Sequence, residues 1–152
     1  MTTTTTTIAE LPSLKGQELG QSDWFEVTQD RVNTFADATD DHQWIHVDVE
    51  RASKESPFGG PIAHGYLTLS LLAPLSSQVL VVTDTVMGVN YGLNKVRFPS
   101  PVPVGSKIRL TATLKDVEEV AGGLQLTIAA VIEAEGASKP VCIAEPVFRT
   151  YA

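Results

Sequence analysis

Ile62-Ala-His64-Gly65-Tyr66-Leu67-Thr-Leu-Ser70-Leu71-Leu-Ala73 is apolar on nearly every face of a helix. A helix of that kind needs protein on all sides. Pro74 follows and should kink or end it. The run before it, Ser56–Pro61 (SPFGGP), is turn chemistry. Downstream, 84–98, 107–119, 124–135 and 140–151 are β-rich. Pro99-Ser-Pro101, Pro103 with Gly105, Gly122-Gly123 and the segment 136–139 separate them as turns. Short connections between such runs predict an antiparallel meander. One buried helix beside one long antiparallel sheet implies that the sheet curls around the helix.

Working upstream, Asp23–Val27 alternates as a short strand does. Thr28 is placed to cap a helix with Asp30 in its first turn. Val32, Phe35 and Ala36 give that helix one buried face, and it should fade near Thr39. His46–Glu55 reads as a loop with one short helical turn. Residues 1–7 carry six consecutive threonines, a low-complexity tract that predicts a disordered tail. Residues 8–152 then form a single domain. The fold class expected is α+β, a hot-dog fold in which a curled antiparallel sheet wraps one central buried helix. A curled but open sheet keeps an edge strand, and pairing two such edges predicts a homodimer.

A chain of 152 residues has the length of one domain. The 43% hydrophobic and 19% charged content suits a globular protein. A net charge of -7 argues against nucleic acid as a partner, because phosphates require a basic face. The single cysteine, Cys142, lies in an apolar run and reads as a small buried hydrophobe; it permits no intrachain disulfide and fits a reducing compartment. The start of the chain lacks the basic and apolar regions of a signal peptide. The longest apolar segment, 62–75, is shorter than the roughly 20 residues that span a bilayer, so no membrane partner is expected. A cytoplasmic protein is the reading that follows.

The chemistry is concentrated in Phe35-Ala-Asp-Ala-Thr-Asp40-Asp41-His42-Gln43-Trp44-Ile45-His46-Val-Asp48 and in Pro61-Ile-Ala-His64-Gly65. Together these resemble the hydratase 2 signature of MaoC-like proteins. That signature runs aromatic, then Ser-Gly-Asp-x-Asn-Pro-Ile/Leu-His-x-Asp, with Ile-Ala/Val-His-Gly later. Asn90–Phe98 and Pro101–Gly105 extend the resemblance over nearly the whole chain. Asp41, Ile45, His46 and Asp48 match. Asp40 stands where many members have Gly, Gln43 where they have Asn, and Trp44 where they have Pro. The resemblance implies an (R)-specific enoyl-thioester hydratase, or 3-hydroxyacyl-thioester dehydratase, using an acyl-CoA or acyl-carrier-protein thioester. It implies no cofactor and no metal. Asp41 and His46 would be the catalytic acid–base pair holding one water, and the Gly65 backbone N–H the donor to the thioester oxygen.

Other readings compete at several of these residues. Adjacent aspartates commonly end a helix and cap a turn. His42, His46 and Asp48 offer ligand types for a metal, but the stretch is not helical enough and no further ligand completes it. Among candidate substrate-binding residues, His64 also suits a structural support for the loop carrying Asp41. Trp44 suits either a lid or a core anchor. Ser70 could meet substrate or bond back to its own helix. Lys95 and Arg97, two apart on a β-run, could meet a CoA phosphate or simply form a solvated face. Tyr66, Leu67 and Leu71 read as core, with part of that face lining an acyl tunnel. A hot-dog thioesterase and a non-catalytic acyl-thioester-binding subunit are the alternative functions; the Asp41-x4-His46 unit argues against both.

Overall fold

In chain order the computed structural model, which describes residues 1–152, contains β1 (Thr4–Thr6), a 3₁₀ turn (Leu11–Leu14), β2 (Glu18–Gln21), β3 (Phe25–Glu26), α1 (Gln29–Thr39), α2 (Trp44–Val47), α3 (Val49–Glu55), α4 (Gly65–Ser70), α5 (Leu72–Val79), β4 (Leu80–Val82), β5 (Met87–Arg97), β6 (Lys107–Val120), β7 (Gly123–Ala134) and β8 (Cys142–Tyr151). The period-2 pattern of β7 explains its role. Leu124, Leu126, Ile128, Ala130, Ile132 and Ala134 alternate as buried positions along one face. Ile108, Leu110, Ala112 and Leu114 do the same on β6. That face meets Leu67, Leu71, Leu72, Leu75 and Val79 of the two central helices in one cluster. Leu75 is fully buried there. Truncating such a leucine to alanine costs about 2–5 kcal/mol.

The strand order is β2-β6-β7-β8-β5, with β3 also pairing β6. All pairs in this sheet are antiparallel. Only β6-β7-β8 is a meander. β5 does not neighbour β6 as chain order suggests but lies at the far edge beside β8. Its link to β6 crosses the head of α4, where Ala63 N–H donates to Val102 O (2.8 Å) and Val104 N–H to Pro61 O (3.0 Å).

Three further expectations need correction. The threonine tract is ordered: Thr4–Thr6 pairs in parallel with Leu80–Val82, and Thr2 bridges Gln21. Threonine is β-branched and favours strands, and its hydroxyls find carbonyls, Thr3 to Gln78 O (2.6 Å) and Thr4 to Leu19 O (2.5 Å). A Cβ on Gly20 would lie 2.0 Å from Thr2 O, so only glycine admits this arm. The central helix starts at Gly65 and is broken at Leu71, because Pro74 has no N–H to offer Ser70 O; Pro74 then sits in the first turn of α5, where it is tolerated. Nor is that helix covered all round: Tyr66, Ser70, Ala73, Pro74 and Ser77 form an exposed stripe. Finally, 46–55 is mostly helical, with Asp48 accepting from Arg51 N–H (3.0 Å) to cap α3.

Candidate active site

The site begins where α1 ends. Thr28 caps its start by accepting from Arg31 N–H at 3.2 Å. Asp40 caps its end in the left-handed conformation, φ 58°. Glycine favours that conformation and aspartate tolerates it, so Asp40 can stand where the family signature has glycine. The turn releases Asp41 from the helix with its side chain half exposed. Three residues later α2 opens, and it buries His46.

His46 is fixed from several sides. Its Nδ1 lies 2.6 Å from Ile62 O. A carbonyl only accepts, so Nδ1 carries the proton and Nε2 is left with its lone pair free. Gln29 Nε2 donates to His46 O at 2.8 Å. Ile62 N–H donates back to Ile45 O at 3.0 Å, so α2 and the approach to α4 are bonded both ways. His64 Nε2–H donates to the Asp41 main-chain O at 3.0 Å and lies 4.0 Å from Asp41 Oδ2. The His46 and His64 rings are stacked, with centroids 3.9 Å apart and planes 25° apart. One ligand atom from each of Asp41, His46 and His64 lies within 4.8 Å of the other two. Burial, as the largest cause, pulls the His46 pKa below its ordinary value; the His64 ring pushes the same way, while the Ile62 carbonyl and the Asp41 carboxylate act in the opposite sense.

Gly65 is the first residue of α4, and its N–H has no acceptor. A Cβ there would sit 3.2 Å from the Phe98 ring, so side chains are disfavoured at this position. Phe98, Phe58, Pro99 and Ser100 line a cavity of about 450 Å³ that reaches Gly65. A second, more apolar cavity of about 390 Å³ lies at the far end of α5, between Ala73, Val79, Leu126, Ile128 and Phe148. It contains neither Asp41 nor His46.

The remaining sequence-predicted residues fall elsewhere. Trp44 is half-buried under the Arg51 guanidinium, 4.2 Å above its ring. Ser70 Oγ donates to Tyr66 O at 2.7 Å, the bond back to its own helix. Lys95 and Arg97 are exposed on β5, whose register slips between Leu93 and Val96. Arg97 donates to Val96 O, and neither bonds to Asp41 or His46. His42 is exposed and pairs with Asp37 at 2.8 Å, so the His42, His46, Asp48 set is not assembled. Asp41, His46 and His64 offer one ligand atom each, three in all; a closed zinc site takes four ligands. Cys142 is fully buried, and burial pushes its thiol up to about 11, away from nucleophilic use. Gln29, the Ile62 carbonyl and Phe98 were not evident in the sequence. Phe98 had a signal, as the aromatic end of a β-run facing a Pro-rich turn; Gln29 had none.

A MaoC like domain model matches residues 10–136. The chain belongs to this family. It is 52% identical over 143 residues to the 3-hydroxyacyl-thioester dehydratase Z of Mycobacterium tuberculosis, covering 93% of this chain and 94% of that protein. It is 48% identical over 139 residues to nodulation protein N of Rhizobium leguminosarum bv. viciae, covering 90% and 86%. Among solved structures, the (R)-hydratase from A. caviae involved in PHA biosynthesis superposes with a TM-score of 0.72 at 23% identity, covering 88% of this chain and 94% of that one. The MaoC-like chain thus has the α+β hot-dog architecture expected from its sequence.

Proposed function

We propose that this MaoC-like chain is an (R)-specific enoyl-thioester hydratase, run in reverse as a 3-hydroxyacyl-thioester dehydratase, on acyl-CoA or acyl-carrier-protein substrates. The observation that carries the reading is the open Nε2 of His46 beside the Asp41 carboxylate, at the head of the helix whose first N–H is free. A water held between Asp41 and His46 gives one proton to the pair as its oxygen bonds C3. The alkene electrons move toward the thioester oxygen, which Gly65 N–H stabilises. The pair then delivers one proton to C2, so that one water is added and the protein is unchanged. Water and proton come from the same side, and that makes the addition syn.

The name of the dehydratase Z relative and the apolar cavity between α5 and the sheet both support an acyl-thioester substrate. We read the 390 Å³ cavity as the place for the distal acyl chain. A homodimer and a cytoplasmic location belong to the same reading. No helix is long and apolar enough to cross a membrane, and Cys142, the lone cysteine, is buried and unpaired.

The test is the loss of enoyl-thioester absorbance with crotonyl-CoA and longer enoyl-CoAs. Asp41→Asn and His46→Gln should each lower kcat by about 10²–10⁴-fold while circular dichroism stays unchanged. Folded variants with wild-type turnover would remove the assignment. Coupling the product to an (S)-specific 3-hydroxyacyl-CoA dehydrogenase should form no NADH; rapid NADH formation would overturn the stereochemistry.

A further inference from the structure

The hydration chemistry above uses Asp41, His46 and Gly65 and gives no part to His64. Yet His64 touches all three. Its Nε2–H holds the Asp41 main chain (3.0 Å), its ring lies on the His46 ring (3.9 Å), and Gly65 is the next residue. It is 2% exposed, and Phe35 packs against it with ring centroids 4.9 Å apart. Its Nδ1 is buried with no partner. Simple space-filling gives no reason to keep an unsatisfied polar atom there, since an apolar side chain would fill the volume without it.

We propose that His64 is a positioning residue for the hydration reaction, fixing the main chain that presents the Asp41 carboxylate and, through its stacked ring, covering one face of His46 so that water cannot solvate a positive charge there. This rests on the function proposed above. A ring stacked on another at 3.9 Å and 25° leaves no room for water between them, so that face of His46 is desolvated and its charged form is disfavoured. The ionisable groups that face His46 are His64, from the head of α4, and Asp41, from the turn after α1. They act in opposite directions: Asp41 favours the imidazolium, and His64 together with burial disfavours it. His64 therefore helps keep His46 as the free base beside a carboxylate that favours the imidazolium.

Two substitutions separate the two duties. His64→Gln keeps an N–H donor of similar reach and removes the ring; His64→Phe keeps the ring and removes the donor. Crotonyl-CoA hydration is measured across pH, and the His46 imidazole is titrated by NMR in wild type and in His64→Gln. In His64→Phe, kcat should fall up to about 10²-fold with KM little changed, the scale of a small misplacement. In His64→Gln the acid limb of kcat/KM and the NMR titration of His46 should both move up, toward the ordinary value of about 6.5. Wild-type kcat in His64→Phe with an unmoved His46 titration in His64→Gln overturns the inference. So does residual activity that simply follows the folded fraction with a wild-type acid limb. The NMR titration needs no turnover, so a wild type that fails to hydrate crotonyl-CoA sinks the proposed function without obscuring this result.

Discussion

His46 is held so that only one nitrogen can act. Nδ1–H donates to Ile62 O, and burial holds the pKa down. The free base therefore persists below the ordinary imidazole value of about 6.5, and the acid limb of kcat/KM should lie beneath it. The same shift links to stability. The unfolded chain binds this proton first as pH falls, so stability from neutral His46 is complete above about 6.5 and drains away as pH drops through the folded-state value. A Tm-against-pH curve that is unchanged in His46→Gln would contradict this. Cys142 gives a second residue-scale expectation. With no exposed surface and a thiol raised to about 11, it should resist iodoacetamide in the native state, leaving activity intact. Rapid inactivation with label on Cys142 would refute it. Asp41 and His46 are legible as a candidate pair because the Asp-x4-His spacing is distinctive, and the fold brings them within 4.8 Å of each other. Gln29 was not: a glutamine at a helix start reads as solvent-facing until the fold brings His46 O to it.

The central helices show what periodicity can and cannot convey. The pattern locates an apolar helix at 62–73, but the loss of one N–H at Pro74 splits it and lets it run on to Val79. Strand runs were read to within a few residues for β6, β7 and β8. The place of β5 was not, because alternation fixes which face is buried, not which strand is the neighbour. The threonine tract was misread because composition hid β-branched propensity that a waiting edge, β4, could use. On α4 and α5 the exposed stripe Tyr66, Ser70, Ala73 runs from Gly65 toward the apolar cavity. Gly65 and Ala73 are eight residues apart, about 12 Å along a helix. An acyl chain anchored at Gly65 reaches the cavity only when it is long. Ala73→Phe, which narrows that cavity, should lower kcat/KM for dodecenoyl-CoA by about 10–200-fold relative to crotonyl-CoA. An equal change for both substrates would mean that the cavity does not take the chain.

At the scale of the whole molecule, the apolar surface left uncovered is concentrated on β5 and α4. Val86 (83%), Met87 (53%), Tyr91 (57%), Leu93 (42%), Phe98 (43%) and Tyr66 (73%) are all exposed. β5 is also the outer strand of the sheet, with β8 on one side only, so its other side presents unpaired N–H and C=O groups. The edge is long, and its apolar part, Met87–Leu93, lies ahead of the charged end at Lys95 and Arg97; such a stretch invites a second strand, and a two-fold axis lets β5 meet its own copy antiparallel. Such a pairing would also bring the partner over the exposed stripe of α4 that a sealed hydrophobic helix should not have. The expected species in light scattering is therefore a dimer at micromolar concentration. Leu93→Glu places a charge on each copy of that edge, and the two charges repel across the axis. This variant should run as a monomer and, with the stripe uncovered, lose activity toward long-chain substrates more than toward crotonyl-CoA. A wild-type monomer at working concentration, or a Leu93→Glu protein that remains a full-strength dimer, would show that β5 is not the joining edge.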